Sequence, residues 1–344
     1  MILKISKRRL ILSACLIAVL ILIYLVFLPQ RFDVPTFKYR ADTQYWDLPT
    51  GSKIGYTLLE SKLPTSKAPI IYLHGGPGGA ISNEHIEQMK AFAQQGYSVY
   101  LYDQVGSGHS NRLANINDYG TQRHIDDLAA IIQQIKTPKV ILLGHSWGAI
   151  LATFFTCEHA DKVEKVILVG PGSIYPVNQK LKNIQSPDSL HLKAPLASNQ
   201  QGNAKAYGTR QKLIRWLAYV YGTKLGSDEE VDNFYTYLNS YLGQATVCNT
   251  TSLGTPLTGL GYYVHVMTMK SLNNMVDKRE KIRQLNLPFL VLKGQCDNQH
   301  WGYTKEYLDI LPNAQLQVVP DAGHHIFSEQ PQLYTQYILQ FLNE

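Results

Sequence analysis

The sequence predicts an α/β fold in which a mostly parallel sheet is covered by helices on both faces. Between residues 70 and 169, short apolar runs alternate with stretches of helical periodicity, and the alternation resumes at Leu287. Buried apolar strands that alternate with helices are typical of parallel sheets. Residues 175–275 lack this alternation and are rich in tyrosine. We therefore expect an inserted, mainly helical cap between two parts of one core.

The apolar pattern places the individual elements in order along the chain. Two early antiparallel strands are followed by four strands of the sheet, with helices near 83–95, 121–136 and 149–159. The predicted strands cover 38–46, 53–59, 70–73, 97–102, 139–143 and 165–169. Two more strands, over 288–294 and 315–320, precede a last helix that begins near Ser328. The predicted domains are a first core part (29–174), the cap (175–275) and a second core part (276–344).

The most informative motif follows the predicted strand at 140–143. It reads Gly-His-Ser-Trp-Gly over residues 144–148 and leads directly into a helix-like stretch. A Gly-x-Ser-x-Gly run between a strand and a helix is typical of a sharp turn that exposes the serine above the sheet edge. Glycine is needed on both sides because a Cβ would crowd the turn. The motif predicts a nucleophilic Ser146, and a plain tight turn is the alternative.

A serine nucleophile requires a base and an acid that orients the base. Asp297 falls on the loop after the predicted strand 288–294, and His324 on the loop after the strand 315–320. Both loops follow the carboxyl ends of strands, as Ser146 does. The chain order Ser, Asp, His therefore predicts Asp297 as the orienting acid and His324 as the general base.

Each of these two residues has a rival nearby. Asp321 could replace Asp297 as the acid, but it lies too near His324 along the loop to orient the ring easily. His325 could replace His324 as the base. We favour His324 because it directly follows Gly323 and begins a His-x4-Glu-x-Pro pattern. Asp297 could also be an ordinary turn-forming carboxylate.

A glycine-rich loop supplies the fourth part of the predicted site. The apolar strand 70–73 runs into His-Gly-Gly-Pro-Gly-Gly over 74–79. Backbone N–H groups in such a loop can stabilise a developing oxyanion, because glycine allows a close approach. We expect Gly76 to be one donor and Trp147, the residue after the nucleophile, to be the second. A phosphate-binding loop is disfavoured because no Gly-Lys-Ser/Thr ending follows.

Three of these segments resemble those of the proline iminopeptidases of the α/β-hydrolase fold. They are 74–79, the Asp-Gln-Val-Gly-Ser-Gly-His-Ser run at 103–110, and 144–148. The resemblance covers roughly residues 50–170 and 285–344. It implies an aminopeptidase that releases N-terminal proline or another residue from short peptides without a metal or other cofactor.

The resemblance assigns the roles of nucleophile, acid and base to Ser146, Asp297 and His324. The chain departs from the family pattern at Val105, where the family has arginine, and in the cap, which lacks a Trp-Glu signature. The acidic run at 228–230 could hold a substrate ammonium, but a solvated helix start is the interpretation we favour.

Two other functions fit the same residues. A carboxylic-ester hydrolase, lipase or lactonase would use the same nucleophile, acid and base, because ester and amide cleavage share the acyl-enzyme route. A binding protein that keeps the fold without turnover is a third hypothesis. In each case the expected partner is a small molecule or a short peptide.

The N-terminus carries a separate signal. Four basic residues lie within residues 1–9 and precede an uncharged apolar run over 10–28. Nineteen residues rise by about 28 Å as a helix, close to the hydrocarbon thickness of a bilayer. We expect a cytoplasmic basic tail, a single transmembrane anchor and a catalytic part outside the cytoplasm, in the periplasm or the extracellular space. A cleaved signal or lipoprotein peptide is the alternative, which the bulky end of the run disfavours.

Charge and cysteines limit the possible partners. The formal net charge is +6, and without the four basic residues before the apolar run it is +2. No basic stripe with interleaved aromatic residues suggests nucleic-acid binding, and no Cys/His spacing predicts a metal site. Outside the cytoplasm cysteines can pair, and Cys248 with Cys296 is a hypothesis for a disulfide.

Overall fold

The computed structural model describes residues 7–64 and 67–344. Within these residues one sheet contains eight strands. They are β1 (Gln44–Asp47), β2 (Lys53–Leu59), β3 (Ile70–Leu73), β4 (Val99–Tyr102), β5 (Val140–His145), β6 (Val163–Val169), β7 (Phe289–Gly294) and β8 (Ala314–Val319). Their order across the sheet is β1-β2-β4-β3-β5-β6-β7-β8. The strands from β4 to β8 in this order are parallel, and β1 and β2 are antiparallel additions.

Twelve α-helices lie in the described part of the chain. They are α1 (Lys7–Phe27), α2 (Asn83–Gln94), α3 (Thr121–Ile135), α4 (Trp147–Glu158), α5 (Asn199–Ala206), α6 (Thr209–Tyr221), α7 (Asp228–Leu242), α8 (Tyr262–Asn273), α9 (Arg279–Arg283), α10 (Trp301–Ile310), α11 (Ile326–Glu329) and α12 (Pro331–Asn343). Short 3₁₀ turns connect several of them.

Two apolar clusters form the core, one on each face of the sheet. On β5, Leu142 belongs to the first cluster and Leu143 to the second, because successive side chains of a strand point to opposite faces. Helices α3 and α4 contribute to the first cluster, and α2 and α12 to the second. The predicted parallel sheet with helices on both faces is confirmed.

The segment between β6 and β7 carries the helices α5 to α9, of which α5 to α8 lie within the range predicted for the cap. Its tyrosines divide between the interior and the surface. Tyr235, Tyr262 and Tyr263 are buried in the first cluster, whereas Tyr221 is exposed. The amphipathic faces of α6 and α7 pack against α8, which carries Tyr262 and Tyr263, and this burial stabilises the cap as a packed unit.

The prediction of a transmembrane anchor over residues 10–28 is wrong. Across residues 7–64 and 67–344, every helix falls short of the length and apolarity that crossing a membrane requires. The helix that covers this run, α1, begins at Lys7 with three cationic residues, and at its other end the Val26 carbonyl accepts a hydrogen bond from Arg210 of the cap. The predicted membrane contact and the predicted location outside the cytoplasm rested on this anchor and are corrected with it. Residues 1–6 of the predicted basic tail lie outside the described residues.

The chain after α1 continues along the cap. The Gln30 N–H donates to the Glu230 carboxylate at 3.0 Å, and the Gln211 side chain donates to the Gln30 side chain at 2.6 Å. The ring of Phe32 lies 5.4 Å from that of Phe234. These contacts attach the N-terminal segment to α6 and α7.

A disulfide joins the cap to the core. Cys248, in the cap, is bonded to Cys296, which follows β7, with the two Cα atoms 5.3 Å apart. The predicted pairing is confirmed. A cross-link between residues 48 positions apart stabilises a fold chiefly by restricting the unfolded chain.

We expect the Cys248→Ser and Cys296→Ser double variant to unfold more readily than the unmodified protein. Loss of a native disulfide typically lowers the free energy of unfolding by about 2–5 kcal/mol. Urea titration of both proteins measures this difference. The Cys157→Ser variant is the control because Cys157 is unpaired. Equal free energies of unfolding for the double variant and the unmodified protein would contradict the expectation.

Candidate active site

Ser146 lies in a strained turn between β5 and α4. Its φ is 56°, in the left-handed region that non-glycine residues rarely adopt, and its N–H donates to the Val169 carbonyl at 2.8 Å. A Cβ on Gly144 would lie 2.3 Å from the Gly148 carbonyl oxygen, so the strand and the helix approach too closely for any other residue there. The Gly-x-Ser-x-Gly spacing therefore has a direct steric reason.

Asp297 and His324 form a buried pair. His324 Nδ1 is 2.9 Å from Asp297 Oδ1, and the same oxygen accepts the Gln299 N–H at 3.0 Å. Burial alone would raise the pKa of Asp297. The neighbouring Lys293 ammonium and the His324 ring outweigh that effect and hold the pKa of this carboxyl below its usual range. Asp297 is thus a stable anion that can orient the imidazole.

The two rival residues point elsewhere. Asp321 is exposed and forms an ion pair with Lys193 at 2.9 Å. His325 is half-buried and lies against His145, with 5.2 Å between the ring centres, and desolvation lowers the pKa of His325 to about 4. Of the two histidines, His324 is the one bonded to Asp297.

The end of β6 brings this pair beside Ser146. The Val169 carbonyl binds the Ser146 N–H, and the next residue, Gly170, has a φ of 52°. A Cβ on Gly170 would lie 2.9 Å from His324 Nδ1 and 3.4 Å from Asp297 Oδ2. One peptide therefore contacts the serine on one side and the acid–histidine pair on the other.

The glycine loop after β3 lies against the same serine. A Cβ on Gly75 would be 3.2 Å from the Ser146 Cβ, and Gly76 adopts a φ of 127° that favours glycine. Trp147 is the first residue of α4, where N–H groups have no partner within the helix. Both predicted oxyanion donors thus belong to segments that meet at Ser146.

Gln104 connects these two segments, a role that the sequence motifs do not predict. Its side-chain oxygen accepts the Trp147 indole N–H at 2.8 Å, and its amide donates to the His74 carbonyl at 3.0 Å. Its backbone N–H also donates to the His74 ring at 2.9 Å. The sequence feature that could have indicated Gln104 is its position in the Asp-Gln-Val-Gly run at 103–106. The neighbouring Val105 is fully buried in the core.

Lys293 is a second residue at the site that the sequence motifs do not predict. It lies on β7 and only 2% of its surface is exposed. Its ammonium donates to the Gln299 carbonyl at 2.8 Å and lies 3.5 Å from Asp297 Oδ2. A lysine inside the apolar run Phe289–Gly294 was the available signal, since lysine is rarely buried without a partner.

Residues 246–248 of the cap are bonded to the base loop, the loop that carries His324. The Thr246 carbonyl accepts the N–H of His324 at 2.7 Å. The Glu329 carboxylate accepts the N–H of Gly323 at 2.5 Å and that of Cys248 at 2.8 Å. Together with the disulfide, these bonds tie residues 246–248 to both the acid loop and the base loop.

The less exposed carboxylates of the cap form ion pairs with lysine or arginine side chains. The pairs are Asp228–Lys224 (2.8 Å), Glu230–Arg210 (2.6 Å) and Asp232–Arg112 (2.9 Å). Burial raises the pKa of Asp232 to about 6, even though Arg112 opposes the rise. Glu229 is exposed in the first turn of α7, as expected for a solvated helix start.

Residues 68–331 match the α/β hydrolase fold family. The chain belongs to the α/β hydrolase family. A proline iminopeptidase of Heyndrickxia coagulans is 26% identical over 295 residues, which cover 86% of this chain and 96% of the relative. A putative 2-succinyl-6-hydroxy-2,4-cyclohexadiene-1-carboxylate synthase of Bacillus subtilis is 24% identical and covers 81% and 92% of the two chains.

The fold is also that of a solved esterase. The esterase from Exiguobacterium antarcticum superimposes with a TM-score of 0.58 at 17% sequence identity, over 87% of this chain and 99% of the esterase. Relatives with different activities share this scaffold, so membership of the family does not by itself identify a substrate.

We expect Gly170→Ala to impair any activity of the site more than it impairs the fold. The added Cβ would meet the His324 ring at 2.9 Å, and the φ of 52° disfavours alanine. Displacement of a catalytic group by about 1 Å can cost on the order of 100-fold in rate. Hydrolysis rates and thermal melting, measured together, check this. Gly51→Ala is the control because its φ is 84° but a Cβ there meets nothing within 4 Å. Equal rates for the two variants would contradict the expectation.

Proposed function

We propose that the protein is a serine hydrolase that cleaves carboxylic esters or amides through an acyl-enzyme at Ser146. The buried Asp297–His324 pair beside the strained serine turn is the observation that carries this proposal. A nucleophile, an oriented base and an acid held as an anion are the groups that acyl transfer requires.

The roles follow from the contacts. With Nδ1–H donated to Asp297, His324 keeps Nε2 free to accept the Ser146 proton while Oγ attacks the acyl carbon. The N–H groups of Gly76 and Trp147 stabilise the oxyanion. The imidazolium then protonates the leaving group, which departs as the acyl-enzyme forms. Water, activated by the same histidine, releases the acid product and restores the serine.

We infer that the substrate is a short peptide from which the N-terminal residue, often proline, is released. The glycine-loop and serine motifs support this, as does the similarity to the proline iminopeptidase of Heyndrickxia coagulans. In such a reaction the acyl group is the N-terminal residue, and the remaining peptide leaves as an amine.

A second candidate is a carboxylic-ester hydrolase or lactonase. One observation favours it: Asp228, Glu230 and Asp232 of the cap are already paired with lysine or arginine. A substrate ammonium needs a carboxylate that is not neutralised by the protein's own cations. An ester or lactone has no such requirement.

Hydrolysis of a proline arylamide and of a short-chain phenyl ester by the full chain separates the two candidates. Serine-dependent cleavage of the arylamide is the result expected for the peptidase, and cleavage of the ester alone would support the esterase.

We expect Ser146→Ala to abolish nearly all turnover of either substrate, because the variant has no nucleophile to form the acyl-enzyme. Unchanged turnover in that variant would disprove the acyl-enzyme proposal.

We expect Asp297→Asn to lower kcat by roughly 10⁴-fold, as loss of the acid does in other serine hydrolases, because an amide favours the wrong imidazole tautomer. Asp321→Asn is the matched control, since that side chain contacts Lys193 on the surface. Steady-state kinetics on the preferred substrate measure both. A kcat for Asp297→Asn within a few-fold of the unmodified protein would refute the assignment of the acid.

A further inference from the structure

A buried lysine, Lys293, lies beside Asp297, the acid of the candidate site. Lys293 Nζ is 3.5 Å from Asp297 Oδ2, whereas His324 is bonded to the other carboxylate oxygen, Oδ1. Both the lysine and the carboxylate are buried, so solvent screens their interaction weakly. The acid therefore interacts with two groups at once, the Lys293 ammonium and an imidazole that accepts a proton during the proposed reaction.

The charge on Lys293 acts against the charge on the imidazole. A carboxylate alone favours a protonated histidine, because opposite charges attract in a buried site. When an ammonium already neutralises that carboxylate, the stabilisation left for the imidazolium is smaller. The neutral imidazole, which is the form that can accept the serine proton, then persists to lower pH.

We propose that Lys293 is a positioning residue that extends the activity of this hydrolase toward acidic pH by opposing the protonation of His324. This inference rests on the proposed acyl-enzyme function. It assigns to Lys293 an electrostatic role that acts through Asp297 and requires no contact with substrate.

The other titratable groups near Asp297 and His324 do not supply a second positive charge like that of Lys293. On β5, the His145 ring centre is 4.9 Å from that of His324, and burial lowers the pKa of His145 well below its usual value. Burial likewise lowers the pKa of His325 to about 4, so both rings are neutral near neutral pH. On α11, the Glu329 carboxylate binds the Gly323 N–H of the base loop.

His300, at the start of α10, also faces Lys293. Partial burial lowers the pKa of His300, and the positive charges of Lys182 and Lys293 lower it further. Of the charged groups named here, Lys293 is the one whose ammonium lies beside Asp297. The Glu329 carboxylate binds the backbone N–H groups of Gly323 and Cys248.

The lysine also has a structural bond, which the test must separate from its charge. Its ammonium donates to the Gln299 carbonyl at 2.8 Å, and the Gln299 N–H donates to Asp297. Lys293→Gln removes the charge and keeps an N–H donor for that carbonyl. Lys293→Met removes both the charge and the donor and matches the length and apolar stem of the lysine. The methionine variant keeps the test open if glutamine does not fold.

The experiment follows the rate at which a fluorophosphonate probe labels Ser146 across pH 4 to 9 in the full-length protein. The probe requires the serine–histidine pair but no knowledge of the substrate. We expect the midpoint of the acidic limb to rise by about 1 pH unit in both variants, a shift typical of a lost charge near a titrating group. Well below the midpoint the labelling rate then falls about tenfold, while the rate at high pH changes by less than about threefold.

Lys193→Gln is the matched control. Lys193 is a surface lysine whose N–H binds the Gln295 carbonyl near the same loop and whose ammonium pairs with Asp321. We expect its midpoint to equal that of the unmodified protein. Thermal melting of each variant confirms that it is folded.

The outcomes are distinct. Midpoints that stay unchanged in both Lys293 variants while the rate falls at every pH would assign the lysine a structural role only and overturn the proposal. A shift in Lys293→Met without one in Lys293→Gln would assign the effect to the Gln299 bond and overturn it as well. Labelling that persists in Ser146→Ala, or is absent from the unmodified protein, would instead refute the proposed function on which the inference rests.

Discussion

The candidate site depends on the register of β5, β6 and β7 at the centre of the sheet. His145 and Val169, the last residues of β5 and β6, lie opposite one another, and Val169 lies opposite Leu292, two residues before the end of β7. The loops that follow therefore leave the same edge of the sheet. The hydrogen bond from the Ser146 N–H to the Val169 carbonyl then holds the strained serine against the next strand. Glycine at 170 removes the side chain that would otherwise separate the serine from the acid–histidine pair. Strand pairing, which is set by burial in the two clusters, thus controls distances in the site.

Local patterns predicted most of this core. Apolar runs and glycine spacing are short-range signals, and they located the strands, the serine turn and the two loops that carry Asp297 and His324. The pairing of Cys248 with Cys296 could also be predicted, because the sequence contains only four cysteines. The N-terminal prediction failed because the apolar run and the basic residues before it are local signals that do not show contacts with the rest of the fold. A run can be apolar and still end in polar contacts with another part of the protein.

The contacts that were not predicted link residues far apart in the chain. Glu329 binds the N–H of Cys248 from 81 positions away, and Thr246 reaches the base loop from the cap. Neither contact has a local signature, because a carboxylate or carbonyl can accept from any nearby N–H. Lys293 did have a signature, a charge inside an apolar strand, but its partner Asp297 is visible only once the strand and its loop are folded together.

The bonds from residues 246–248 to the loops that carry Asp297 and His324 restrict how this part of the cap can move. If this edge of the cap lifted, it would pull on the disulfide beside Asp297 and on the N–H of His324. Movement of residues 246–248 is therefore coupled to the positions of Asp297 and His324. This edge of the cap belongs mechanically to the candidate site that it covers.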